Sequence, residues 1–161
     1  MSNAEADNII DLQQYVAAWR GERYRTFVLH GAPLSGKSEY ARALTEIVPG
    51  GLYLDMLTIV AGSPELSNKV DLLDPLALRD LVLKEAETHH SSLVMVDDLD
   101  FLVAIWGDLV AFRQMVATLA YTRAPAIIGF VLQSYPELEN WQLLDSQGRS
   151  RIIRLNEVHS L

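Results

Sequence analysis

The stretch Thr26-Phe27-Val28-Leu29-His30-Gly31-Ala32-Pro33-Leu34-Ser35-Gly36-Lys37-Ser38 decides how the rest of the chain is read. It opens with a short apolar run rich in strand formers that stops at Gly31, the pattern of a buried strand feeding a turn. Gly31 to Ser38 then match G-x-x-x-x-G-K-[ST] in full. Glycines at both ends permit backbone torsions that a β-carbon would forbid, so successive N–H groups can turn inward and hold phosphate oxygens. A helix opening near Lys37 aims its positive dipole end at the same place. On this reading Gly31, Ala32, Pro33, Leu34, Ser35, Gly36, Lys37 and Ser38 form a phosphate cradle. Lys37 reaches the β and γ phosphates, and the Ser38 hydroxyl ligates Mg²⁺. The competing reading is a tight turn that matches by accident. At average residue frequencies that happens about once in 150 chains of this length, and the flanking strand and helix make it rarer.

Outward from the loop, strands and helices alternate. A helix is expected over 6–19, where Ile9, Leu12, Val16 and Trp19 recur at helical spacing. Another runs over 37–47 and stops at Pro49-Gly50-Gly51. A short strand follows at 52–55. Residues 58–73 are ambiguous, with Gly62-Ser63-Pro64 suggesting a loop. Asp74-Pro75 opens a helix running to about Thr88, an N-cap acid followed by proline at the first helical position. Further strands are expected at 93–96, 126–132 and 151–155, and helices at 108–122 and 136–144. The domain division is an N-terminal helix and linker at 1–24 and a core at 25–161. The alternation predicts an α/β fold, a parallel sheet covered by helices on both faces.

Leu93-Val94-Met95-Val96-Asp97-Asp98 is an apolar strand ending in two carboxylates. Parallel strands present their carboxyl ends at the ligand crevice. Asp97 would hold Mg²⁺ through a water, and Asp98 would orient and polarise an attacking water. The bland alternative is a polar loop entry that includes Asp100. Glu is the commoner residue for the task of Asp98, so hydrolysis is expected to be slow or partner-dependent.

The 161 residues suit one domain. Half are apolar and 21% are charged, a globular balance. With 13 Lys+Arg against 21 Asp+Glu the net charge is −8, which argues against coating nucleic acid through overall charge and leaves direct nucleic-acid binding open. Cys is absent, so disulfides and thiolate metal sites are excluded. No apolar run reaches membrane-spanning length, and the N-terminus carries no signal-peptide pattern, so a cytoplasmic protein without membrane contact is expected.

These motifs resemble the AAA+ branch of P-loop ATPases over residues 24–156. GAPLSGKS resembles Walker A, LVMVDD resembles Walker B in its double-Asp form, and IIGFVLQSYPELENWQLLDSQGRSRIIRL resembles the family's second half. The resemblance implies ATP and Mg²⁺ as ligands and a three-layer α/β/α core with a five-stranded parallel sheet of order 5-1-4-3-2. It implies Gln133 or Ser134 as the γ-phosphate sensor. It also implies Arg149 or Arg151 as an arginine finger inserted into a neighbouring subunit of a homo-oligomer. For the arginines the alternative is a solvated strand edge, Arg154 included. The chain departs from the family in having Gln or Ser where Asn is usual, in an arginine spacing one residue short, and in leaving no room for the helical lid. Size and motif layout resemble the small P-loop protein of type 3 bacteriophage-exclusion (BREX) defence systems. That implies work beside a larger ATPase, a DNA methyltransferase and other defence proteins.

Two other functions fit a phosphate loop. Asp55 ends the second strand, close to where small-molecule kinases bind an acceptor hydroxyl. A nucleotide-dependent assembly module would bind ATP and not hydrolyse it. His89-His90 does not read as a metal site, because adjacent helical side chains do not face each other. His30 reads as a satisfied strand-end histidine, and Trp106 and Trp141 as packing residues at the core or a subunit contact.

Overall fold

A strand buried on both faces needs a helical layer above and below, and the chain supplies both. The computed structural model describes residues 9–119 and 126–161. Strands β1 (Thr26–Gly31), β2 (Gly51–Asp55), β3 (Leu93–Asp97), β4 (Ile127–Gln133) and β5 (Ile152–Arg154) form one five-stranded sheet. Every neighbouring pair is parallel. The order is β2-β3-β4-β1-β5, which counted from the β5 edge is 5-1-4-3-2. The three central strands are buried along nearly their whole length, while β2 and β5 at the edges are partly exposed.

On one face lie α1 (Leu12–Trp19) and α2 (Lys37–Ile47), whose Leu12, Val16, Trp19, Ala41 and Leu44 pack on Phe27, Leu29, Met95, Val131 and Ile153. The other face carries α3 (Met56–Ala61), α4 (Pro64–Asn68), α5 (Pro75–Thr88), α6 (Asp100–Trp106) and α7 (Val110–Leu119). There Leu78, Val82, Leu102, Phe112 and Met115 pack on Val94, Val96, Ile128 and Phe130. Phe112 is the hub: Trp106 stacks on it at 6.0 Å, and Phe130 and Trp141 meet it edge-on at 5.2 and 6.1 Å. Both tryptophans are therefore packing residues. No single helix among the described residues is long and apolar enough to cross a membrane.

Several elements differ from expectation. The first helix begins at Leu12 because the Asp11 carboxylate accepts the Gln14 N–H, and Ile10 forms a parallel bridge to Val158 instead. Residues 6–8 of that expected helix, and 120–122 of the helix expected over 108–122, lie outside the described residues. Helix α1 shares the core of β1 and α2. The ambiguous 58–73 region holds two capped helices: Asp55 accepts the Thr58 N–H and Ser63 the Leu66 N–H. Gly107, at φ 86, ends α6, which the sequence reading missed, and Asp108 caps the start of α7. The helix expected over 136–144 reduces to one 3-10 turn, Pro136–Leu138. Leu143 instead accepts the Arg151 N–H at 2.6 Å, and Leu144 bridges Ser150 antiparallel, so long-range pairing overrides local helical preference.

Candidate active site

Because all strands run the same way, their carboxyl ends lie along one edge of the sheet. Gly31 of β1 is in register with Gln133 of β4, and Asp55 of β2 with Asp97 of β3. The Gly31–Ser38 loop, Gln133-Ser134, Asp97-Asp98 and Asp55 are thus set side by side by the sheet itself.

The loop spans Ala32–Gly36 between β1 and α2. A β-carbon on Gly31 would lie 2.8 Å from Ser35 Oγ and 3.3 Å from Leu155 Cβ, so a side chain there would force Ser35 and Leu155 to shift. Gly36 turns into the helix at φ 91, and Leu34 at φ 59 holds a left-handed conformation with its side chain fully in solvent. No side chain caps α2, so its first N–H groups stay available to a ligand. Lys37 Nζ folds back to the Ala32 carbonyl at 3.3 Å, a single neutral partner for an ammonium with three protons to give. Ser38 follows, half-buried.

Asp97 is 2% exposed at the end of β3. One carboxylate oxygen accepts the Tyr53 hydroxyl and the other accepts the Asp98 N–H at 2.7 Å. The Arg42 guanidinium of α2 lies 5.0 Å from the Tyr53 ring centre, so the helix after the loop braces the tyrosine that holds Asp97. Burial and the bond to Asp97 push the Tyr53 phenol above its usual range, and it stays a donor. Sequence reasoning missed Arg42 and Tyr53, whose placement depends on β2–β3 register.

Asp98 adopts φ 56 and its carboxyl is hydrogen-bonded to that of Asp55. Burial, that bond and the charges of Asp97 and Asp55 push Asp98 up to about 6. Burial acts on Asp55 in the raising direction too, but the bonds from Asp98 and from Thr58 outweigh it and hold Asp55 below its usual value. An acid raised above its unfolded value of about 4 keeps its proton longer when folded, so stability from this group falls as pH rises from about 4 to about 6. Asp55 titrates lower, outside that window. Relative to Asp98→Asn, the ligand-free wild-type chain should lose melting temperature between about pH 4 and pH 6. Equal pH dependence in the two proteins would show that Asp98 does not carry this titration.

Gln133 donates its backbone N–H to Asp100 at 3.1 Å, and the Tyr135 hydroxyl bonds the same carboxylate oxygen at 2.6 Å. Asp100 therefore ties the β3 and β4 ends together. Ser134 Oγ sits 2.8 Å from His30 Nδ1. Burial and the Arg154 charge hold His30 below its usual value, so it is the satisfied, neutral histidine expected. A cleft of about 450 Å³ opens beside the loop, lined by Gly31, Ala32, Ser35, Ser134, Glu139, Arg154, Leu155 and Asn156. His89 pairs with Glu85 of its own helix at 3.2 Å, and no cluster of three His, Asp or Glu among the described residues forms a metal site by itself.

The two arginines expected as a finger make contacts within their own chain. Arg151 is 3% exposed, donates to the Thr26 carbonyl at 3.1 Å and packs by the Tyr24 ring. Arg149 bonds Asp145 at 2.7 Å and lies 4.4 Å from the Tyr15 ring centre. Asp145 also accepts Trp19 Nε1 and the Gln147 and Arg149 N–H groups, forming a folded knot. Both guanidiniums are thus engaged by described residues of the same chain. Arg149→Ala should cost about 2 kcal/mol in urea unfolding, the worth of a charged hydrogen bond to a buried carboxylate. An unchanged midpoint would show that the Arg149–Asp145 bond adds nothing to stability.

The donor set fits the ligands that the loop implies. A hydroxyl at Ser38 and a carboxylate at Asp97 are hard oxygen ligands of the kind Mg²⁺ takes together with waters and phosphates. The glycine-bounded loop, uncapped helix and weakly partnered Lys37 suit a polyphosphate. No protein-family model matches the chain, and no curated protein matches it.

Proposed function

We propose that the chain is an ATP- and Mg²⁺-binding P-loop ATPase with an AAA+-like three-layer core. The observation that carries the reading is the loop: Gly31 and Gly36 shape it, an uncapped helix start faces it, and Lys37 has only a backbone carbonyl for company. The parallel sheet, with β1 between β4 and β5, supports the same reading.

In this scheme backbone N–H groups and Lys37 bind the phosphate chain, and Ser38 and Asp97 orient the metal. Held there, Mg²⁺ would supply positive charge to offset that developing on the phosphates. Tyr53 fixes the Asp97 carboxylate through its hydroxyl. Asp98, raised to about 6, is poised to take a proton from an attacking water near neutral pH. Gln133, in register with Gly31, or Ser134 beside it serves as the γ-phosphate sensor in this scheme. The role as an oligomerising or accessory subunit of a phage-defence or other DNA-directed complex rests on the motif resemblance alone.

The kinase reading loses ground because Asp55 is already engaged, capping α3 and bonding Asp98. Calorimetric titration with Mg²⁺–ATP, followed by phosphate release with and without co-purified partners, tests the proposal. Tight binding with phosphate release to water supports it. Transfer to a small hydroxylated acceptor would make the chain a kinase, and binding without any release would make it an assembly module.

A further inference from the structure

We propose that Arg154 of β5 contacts the phosphates of the nucleotide held by its own chain, an inference that rests on the loop reading above. Arg154 is in register with His30, the residue before Gly31, and lines the cleft with Gly31, Ala32 and Ser35. It is the one cation among the residues lining that cleft. The side chain is exposed and makes no hydrogen bond or ion pair to any other described residue. That freedom is unusual in a chain with 21 acids against 13 bases. Arg149 and Arg151, by contrast, are spent on Asp145 and the Thr26 carbonyl. His30 beside it is bonded to Ser134 and neutral, so Arg154 supplies the positive charge on this side of the loop. A guanidinium presents a planar fork of donors that matches phosphate oxygens, and its charge is not lost at any working pH. Lys37 enters from the helix side and Arg154 from the β5 side, so the phosphate chain would lie between two cations of one subunit.

The test is ATP affinity of the full chain by calorimetry with Mg²⁺ present. Arg154→Ala should weaken ATP binding roughly 10- to 100-fold, as expected for losing a charge-assisted hydrogen bond, with Arg154→Lys in between. The unliganded Arg154→Ala chain should keep the wild-type melting temperature, since the side chain holds nothing in place. An equimolar mixture of Arg154→Ala and Lys37→Ala chains should show no recovery of tight binding, because one subunit must carry both cations. Wild-type affinity in Arg154→Ala would overturn the inference, and recovery on mixing would overturn its action within one chain. Both results leave the loop reading standing. A wild-type chain that binds no nucleotide overturns the loop reading, and the inference with it.

Discussion

Asp98→Asn should bind Mg²⁺–ATP nearly as well as the wild-type chain and turn it over roughly 10²- to 10⁴-fold more slowly, the usual worth of a positioned general base. The amide keeps the shape of the side chain and can still bond Asp55, so the site should stay assembled. What it loses is the ability to accept a proton from water. The structure makes Asp98 suited to that task in two ways. Its left-handed backbone sets the direction in which the carboxyl leaves the chain. Its value near 6 leaves it ionised at neutral pH yet basic enough to take a proton. Wild-type turnover should accordingly fall as pH drops through about 6, and the residual rate of Asp98→Asn should lack that limb. Steady-state phosphate release at several pH values checks both statements. Should Asp98→Asn turn over normally while Asp97→Asn is dead, the roles of the two acids are exchanged.

Lys37→Ala should remove tight ATP binding altogether. A fixed ammonium on a polyphosphate typically contributes on the order of 2–5 kcal/mol, or roughly 30- to several-thousand-fold in affinity. Here Lys37 gives up only a 3.3 Å bond to Ala32 when it swings to a ligand. Little intramolecular energy therefore offsets the gain, and the folded state does not need the side chain. Calorimetry should show the loss while the unliganded melting temperature stays put. Unchanged affinity would remove the phosphate-loop assignment and leave an unusually tight turn.

Much of the site is written in local sequence. A strand, a glycine, a loop, a second glycine and Lys-Ser read the same way in isolation as in the fold, because backbone sterics and helix-end N–H groups act over a few residues. The same holds for the helix from Asp74-Pro75, where cap and proline set the start, and for the buried strands ending in Asp97 and Gln133. What required the tertiary structure involves residues far apart in the chain. The Asp55–Asp98 pair and the Tyr53–Asp97 bond exist because β2 and β3 align in one register, and a slip of one residue would turn Tyr53 to the other face. The failed helix over 136–144 yields to pairing with Ser150 and Arg151. The arginines show this most plainly. Three lie within six residues, Arg149 to Arg154, and nothing local separates them. Only packing puts Arg151 against Thr26, ties Arg149 to a buried Asp145 that also holds Trp19, and leaves Arg154 free beside the loop. Burial and pairing are properties of the assembled chain, because desolvation and charge partners come from whichever segments the sheet brings alongside.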